Sequence, residues 1–323
     1  MKKFRHIYAG SVREAVNLLA EHGTKARVIA GGSDQLRWMK DRNETPEVLV
    51  NVSRIPDFER IEWRDDGLHL GARTRVAKLA TDPQVQQQYS VLAQAASVVA
   101  SPQIRNVASV AGDLLQRPWC YYYREGFPCL RRGGNTCYAP TGDNKFSAII
   151  GGNRSFIVHD SDLGPAMVAL GANVTVAGAR GTRTLPLEEF YILPAQDVRR
   201  EYQLEPGELV TELHVPRRWL GASGTYTKIR QRGSWDHGIV TVAAVARVRD
   251  GVFEDVSIVL GGIAPKPWRA QEAEELLRGR PVTAGLATEA GAAALAQARP
   301  LSRNGYKVPM AQDAIRDAVL ALI

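Results

Sequence analysis

Three residues in this chain could ligate a metal cluster, and they are crowded into one segment, CYYYREGFPCLRRGGNTC, which holds Cys120, Cys129 and Cys137. There are no other cysteines. An odd number of thiols packed so closely argues against a secreted disulfide framework. Thiolates are soft ligands suited to iron–sulfur centres. Their spacing, with eight and then seven residues between them, is too long for a zinc knuckle. The alternative is three inert thiols in a loop. The adjoining aromatic run Trp119, Tyr121, Tyr122 and Tyr123 would then serve packing rather than the shielding of a cluster.

A second kind of chemistry is available at two glycine-containing turns. In VIAGGSDQL (Val28–Leu36) the glycines let backbone approach a ligand, and successive free N–H groups form a cradle for phosphate oxygens, to which Ser33 adds a hydroxyl. The spacing is that of neither the dinucleotide fingerprint nor the P-loop, and a Gly–Gly turn between strand and helix is also a common structural device. In IRNVASVAGDLL (Ile104–Leu115) the small residues Ala108, Ser109, Ala111 and Gly112 again permit close approach, beside Arg105 and Asn106. Read without context it is a tight turn packing on a neighbour. Asp162 reads equally as a helix N-cap before Leu163, and Lys228 as an exposed strand lysine. None of the six histidines sits in a metal-spaced set such as HExxH, and no Ser/His/Asp arrangement stands out.

The elements that must position these residues can be read in outline. Ser11 and Glu14 form a capping box for a helix to His22, ended by Gly23. ARVIA (Ala26–Ala30) is a strand that breaks at Gly31–Gly32 and runs into the helical SDQLRWMK, and EVLVNVS closes the unit. FERIEWRDDGLHLGA predicts a hairpin about Asp66–Gly67. Two helices are expected over Thr74–Ala80 and Ser90–Ala100, followed by a long Gly-, Pro-, Arg- and Tyr-rich loop from Ser101 to Gly152. Regular structure is expected to resume in SFIVHDSD, then a helix from Leu163 to Gly171 and the strand ANVTVAG. A stretch around Leu204–Trp219 is expected to contain a domain boundary. Beyond it lie three strands (Thr225–Gln231, Ile239–Val248, Val252–Leu260) and three helices (Ala270–Leu277, Ala284–Ala298 and the terminal AQDAIRDAVLALI).

A length of 323 residues suggests two domains, or three subdomains. The net charge of +7 is scattered and carries no nucleic-acid motif, so it suits a solvated surface or an acidic partner. No apolar run is long enough to span a membrane, and the basic N-terminus lacks the apolar stretch of a secretion signal, so the expected location is the cytoplasm unless a partner's signal exports the folded complex.

Taken together, AGGSDQL and IRNVASVAGDL resemble the paired motifs AGGTDLL and IRNxATxGGNL of the FAD-binding medium subunits in the xanthine dehydrogenase and carbon monoxide dehydrogenase group of molybdenum hydroxylases. Ser33 and Ser109 replace threonines and keep the hydroxyl, while Ala111 and Asp113 replace Gly and Asn. The resemblance continues in HDSDLGPAMVALGA, KIRQRGSWDHGIVTVAAVA, LGGIAPKPWRA and NGYKVPM, and so spans nearly the whole chain. It implies an α+β fold: a two-subdomain FAD-binding fold of the vanillyl-alcohol-oxidase type (residues 1–55 and 56–215, with the cysteine loop at about 116–152) and a C-terminal domain of antiparallel sheet and helices (220–323).

Residue by residue, it implies that Arg27, Val28, Ile29, Ala30, Gly31, Gly32, Ser33, Asp34 and Gln35 wrap the FAD pyrophosphate, with Ser109, Gly112 and Asp113 across the same groove. Asp162 would hold the adenosine end or ribose, and Lys228 would sit near the isoalloxazine ring. The cysteine loop is similar to an insertion in the branch containing 4-hydroxybenzoyl-CoA reductase and periplasmic aldehyde oxidoreductase, where four cysteines hold a [4Fe–4S] cluster. Here Ser155 takes the fourth position, so a four-iron cluster would need Ser155, His159, Asp160 or water as its last ligand. A three-iron cluster or none are the other outcomes. The implied function is electron transfer through FAD between iron–sulfur centres and an external acceptor. The partners would be a molybdenum-cofactor large subunit and a [2Fe–2S] small subunit. A stand-alone FAD oxidase and a flavin-less structural subunit are the rival readings.

Overall fold

The computed structural model describes residues 1–323 and contains three β-sheets that follow one another along the chain. The first is parallel, with β1 (Arg5–Tyr8) and β2 (Ala26–Ile29) on either side of β3 (Val48–Asn51). Parallel strands need crossovers, supplied here by α1 (Val12–His22) and α2 (Gln35–Lys40). Ser11 caps α1 by accepting the Glu14 N–H at 3.1 Å, whereas the Glu14 carboxylate reaches past Ser11 to accept the Gly10 N–H at 2.7 Å. Gly23 ends that helix with φ at +50°.

The second sheet is antiparallel. The expected hairpin is β4 (Ile61–Arg64) and β5 (Gly67–Gly71). Helices α3 (Val76–Thr81), α4 (Pro83–Gln88) and α5 (Ser90–Ser97) come next. The α4 turn escaped the sequence reading although its signals are present. Asp82 Oδ1 accepts the Gln84 and Val85 N–H groups, and Pro83 occupies the first helical position. The long loop condenses into the short turns α6 (Pro102–Arg105), α7 (Val110–Leu114) and α8 (Tyr121–Arg124).

SFIVHDSD forms no strand, contrary to expectation. Only Val158 makes a bridge, to Trp119, because both faces of the segment are taken up by buried side chains rather than by a ladder partner. After α9 (Leu163–Ala169) the chain adds β6 (Asn173–Gly178), an exposed β7 (Gly181–Pro186), α10 (Leu187–Phe190) and β8 (Leu209–Pro216). The strand order is β4-β5-β8-β6-β7, so the stretch expected to hold the boundary also contributes the central strand.

The third sheet, ordered β12-β11-β10-β9, comprises β9 (Ser223–Ile229), β10 (Val240–Arg249), β11 (Val252–Gly261) and β12 (Trp268–Arg269). Its central strand reads VTVAAVA without polar alternation, the pattern of a strand covered on both faces. That is what is found. Val242, Ala244 and Ala246 join the core beneath α11 (Gln271–Leu277), α12 (Ala284–Ala294) and α13 (Lys307–Leu320). Ala243 and Val245 face the other way, into the core that includes α5 and α9. One strand thus belongs to two hydrophobic cores, and the groove between the halves is held open by rigid elements on both sides.

Candidate functional site

The turn after β2 is built to come close to something. A Cβ on Gly31 would lie 1.7 Å from the Val107 carbonyl oxygen, so only glycine lets this turn lie against the 104–108 turn. Gly32 is left-handed, with φ at +73°. Across from it, Ser109 caps α7 by accepting the Gly112 N–H at 3.1 Å. A Cβ on Gly112 would meet that same hydroxyl at 2.8 Å. The two turns face each other over a cleft of about 240 Å³ lined by Arg27 to Gln35, Ser109, Ala111 and Gly112, with Ala72, Leu209 and Val210 from the second sheet. Three arginines belong to its wall: Arg27, Arg73 and Arg117. Arg27 binds Glu44 at 3.0 Å, and Arg117 forms ion pairs with Glu44 and Glu201. Burial would raise the Glu44 carboxyl, but Arg117 and Arg27 outweigh it and hold it below the ordinary range.

The cleft does not end there. A narrow cavity of about 120 Å³ shares Ser33, Asp34 and Gly112 with it, and a further cavity of about 300 Å³ shares Arg37, Trp235 and His237 with the narrow one. Each is small for a dinucleotide. As one groove they reach the ~300–1,000 Å³ typical of cofactor sites. Trp235 closes over the groove from the third sheet's side, with φ at +72° and its N–H on the Ala100 carbonyl at 2.9 Å. A bulky residue held at positive φ marks a place where the fold overrides local preference.

At the far end the Asp160 side chain is only 4% exposed, and its Oδ2 has no hydrogen-bond partner. Burial pushes this carboxyl well above the usual range, against the pull of Arg124. His237 stands 3.8 Å away, depressed to about 3 by burial and by the Arg124, Lys228 and Arg37 charges. Lys307 donates to the Phe146 and Gly262 carbonyls, and burial lowers its ammonium to about 7. Asp160, His237, Trp235, Arg37 and Arg117 were not singled out as cofactor contacts from sequence. Asp160 entered the sequence reading only as a possible last ligand of an iron–sulfur cluster.

Other implied site residues fall one layer back. Asp113 lines the narrow cavity, yet its Oδ2 accepts the Leu163 N–H at 3.1 Å and the Ser161 hydroxyl, and its Oδ1 accepts the Gln116 amide at 2.8 Å. Burial, with Asp162 adding, pushes it up to about 7. Asp162 and Lys228 are spent on each other. Lys228 Nζ donates to Asp162 Oδ2 at 2.6 Å and the Tyr226 hydroxyl donates to Oδ1 at 2.9 Å, leaving neither side chain on the cavity walls described above. The N-cap role read for Asp162 goes instead to Ser161, whose hydroxyl accepts the Gly164 N–H at 2.8 Å.

The cysteine loop is tied down by arginines. Buried Arg131 donates to the Val198 carbonyl and pairs with Glu201, and Arg132 donates to the Tyr123 carbonyl at 2.8 Å. Gly134 is required there, because a Cβ would lie 1.7 Å from the Pro128 carbonyl oxygen. Cys129 is buried, while Cys120 and Cys137 are partly exposed. The Cys120 thiol is pushed up to about 11 by burial, with Cys137 and Cys129 close enough to add to it. His159 is committed elsewhere, its Nε2 donating to the Leu114 carbonyl at 3.1 Å.

Close-packed glycine turns, a long groove between two cores and an α+β frame suit a protein that holds an extended nucleotide cofactor. The profile of the FAD binding domain in molybdopterin dehydrogenase matches residues 2–218, and that of the CO dehydrogenase flavoprotein C-terminal domain matches residues 225–322. The chain belongs to this family, the FAD-binding medium subunits of multi-subunit molybdenum oxidoreductases. It is 36% identical to the FAD-binding subunit of an aldehyde oxidoreductase of Escherichia coli, covering 97% of this chain and 96% of that one. It is 27% identical to the carbon monoxide dehydrogenase medium chain of Hydrogenophaga pseudoflava, over 99% and 96%. The carbon monoxide dehydrogenase structure from the same organism superposes with a TM-score of 0.79, at 27% identity, over 99% of this chain and 97% of that chain. No helix is long and apolar enough to cross a membrane.

Proposed function

We propose that this chain holds FAD along the groove described above and passes electrons from iron–sulfur centres, reduced by a molybdenum subunit, to an external acceptor. The observation that carries the placement is the Gly31 contact, since backbone packed this closely leaves the Gly32–Gln35 amides as the cradle for the pyrophosphate. Arg27 and Arg117 add positive charge beside it, Ser33 and Ser109 supply hydroxyls, and Gly112 keeps the opposite wall low. Bound FAD supplies the exchange between one-electron centres and a two-electron acceptor. The far cavity fits the isoalloxazine ring: Trp119 and Trp235 give flat apolar walls, and Asp160 presents a buried polar oxygen that lacks a partner in the protein. In this reading Asp113, Asp162 and Lys228 act through the frame, fixing the N-terminus of α9 against α7 and β9.

The cysteine loop belongs to the same proposal. Three thiols in one loop that arginines have already ordered would hold a four-iron cluster through Cys120, Cys129 and Cys137. Ser155, buried at the position of the family's fourth cysteine, or water would complete it, His159 being bonded to Leu114. A molybdenum-cofactor large subunit and a [2Fe–2S] small subunit would complete a heterotrimer, working in the cytoplasm. The test is an absorption spectrum of the anaerobically purified chain, with iron and acid-labile sulfide determined on the same sample. Flavin with about four irons per chain supports both parts. Flavin without iron removes the cluster and leaves the electron-transfer role, and a colourless protein overturns the whole reading.

A further inference from the structure

At the opposite end of the second sheet from the flavin cleft, Asp66, His69 and His214 bring one ligand atom each to within 4.8 Å of the others. We propose that these three residues bind one divalent transition-metal ion of the zinc class, which clamps the β4–β5 turn to the end of β8. The register dictates the pairing: His69 and His214 are direct cross-strand partners on β5 and β8, so both rings leave the same face, stacked at 4.5 Å. Asp66 sits in the turn beside them. The Arg217 N–H and His214 Nε2 both contact its carbonyl oxygen, at 3.2 Å each, and its carboxylate Oδ2 is 3.6 Å from His214 Nε2.

What points to a cation is the surroundings of His69. Its ring is buried, with Nδ1 3.0 Å from Glu212 Oε1 and Nε2 2.9 Å from Asp66 Oδ1. A neutral imidazole has one N–H and can satisfy only one of these carboxylates. The second contact needs a proton or a metal. Glu212 on Nδ1 fixes the tautomer that turns the Nε2 lone pair toward Asp66, which is how a carboxylate supports a metal-bound histidine. The charges around the ring agree. Among the paired side chains, Glu62, Glu212 and Asp66 stand against Arg60 and Arg64, with Arg60 paired to Glu212 and Glu62, and Arg64 to Glu62 with its Nη1 3.3 Å from His69 Nδ1, while the Arg217 guanidinium donates to the Asp65 carbonyl at 3.1 Å. The set therefore carries an excess negative charge when both histidines are neutral.

Two imidazole nitrogens and one carboxylate select a borderline ion such as Zn²⁺ or Co²⁺ over Ca²⁺ or Mg²⁺. Bonds of ~2.0–2.1 Å require the ligands to draw together from their present spacing. Asp66, 61% exposed on its turn, is free to follow. His214 lies four residues beyond Val210 of the cleft, about 13 Å at the rise of an extended strand, so the ion is a clamp and takes no part in electron transfer.

The test uses the full flavin-loaded chain stripped by a chelator and titrated with Co²⁺ at pH 7.5. The wild type should take up one equivalent whose visible bands lack thiolate-to-metal charge transfer. Asp66→Asn and His214→Asn, each checked for retained flavin, should lose that equivalent, while Cys137→Ser keeps it. Failure of the wild type to bind, thiolate bands on the bound ion, or undiminished binding by both variants would overturn the proposal. None of these results depends on where the flavin sits.

Discussion

Replacing Gly31 with alanine tests the cradle at its most constrained atom. The added methyl would sit 1.7 Å from the Val107 oxygen and 2.5 Å from its carbonyl carbon, both backbone, so no side chain can rotate away and one turn must retreat by more than an ångström. Overpacking of this kind costs about 1–3 kcal/mol. Most of that should appear in cofactor affinity, because the turn that moves carries the amides proposed for the pyrophosphate. At 1.4 kcal/mol per decade the expected loss is about ten- to a hundredfold in FAD affinity. Fluorescence titration of deflavinated protein with FAD measures it directly. Gly285→Ala is the control: it lies in α12 with nothing within 4 Å of the new methyl, and should leave FAD binding alone while adding up to ~1 kcal/mol of stability. If Gly31→Ala binds FAD like the wild type at an unchanged Tm, the cradle reasoning fails.

Asp160→Ala removes a buried oxygen without a partner and should raise the Tm of the flavin-free protein, by about 1–3 kcal/mol of stability. It should also weaken FAD binding, and calorimetry showing no change in affinity would detach Asp160 from the flavin. Lys228→Met strands Asp162 with only the Tyr226 hydroxyl and should cost about 3–5 kcal/mol in urea unfolding, with Asp162→Leu added to it recovering part of the loss. Between pH 4 and 7 two buried groups act oppositely. Asp113, raised to about 7, lends stability that is full below its unfolded pKa near 4 and lost as pH rises through 7. His159, depressed to about 4, lends stability that is full above about 6.5 and lost as pH falls through 4. Asp113→Asn should therefore unmask a steeper acid loss in Tm scans, and an unchanged pH profile would rule the coupling out.

The frame was legible where short-range rules decide it. Ser11 capping α1, Gly23 ending it and Asp66–Gly67 turning the hairpin are statements about neighbouring residues, and each is found. The unpatterned VTVAAVA run likewise signalled its strand. The losses have physical causes. β7 is an exposed strand of Gly, Thr and Arg with no buried face to impose a period, and Asp82–Pro83 packed a helix start into a gap between two expected helices. The glycines of the cradle were visible, but why Gly31 must be glycine was not, because the obstructing Val107 oxygen lies far along the chain. The far end of the groove was invisible for the same reason. Arg37, Asp160 and His237 come from three separate segments, and nothing local marks them as neighbours.

That distribution says how the protein keeps a long groove open. The walls are assembled from both cores, which share β10 through Ala243 and Val245, and specific polar contacts cross beside that apolar seam: Lys228 on Asp162, Ser90 on the Gly224 carbonyl, and the Trp235 N–H on Ala100. A purely apolar seam here would let the halves slide, since many registers bury similar area. A buried ion pair allows only one, at a cost that is repaid when both partners are in place. Because β10 is shared by both cores, the Lys228→Met variant should still unfold in one transition, at a lower urea midpoint than the wild type, and a transition that splits in two would show that the apolar seam alone does not couple the halves.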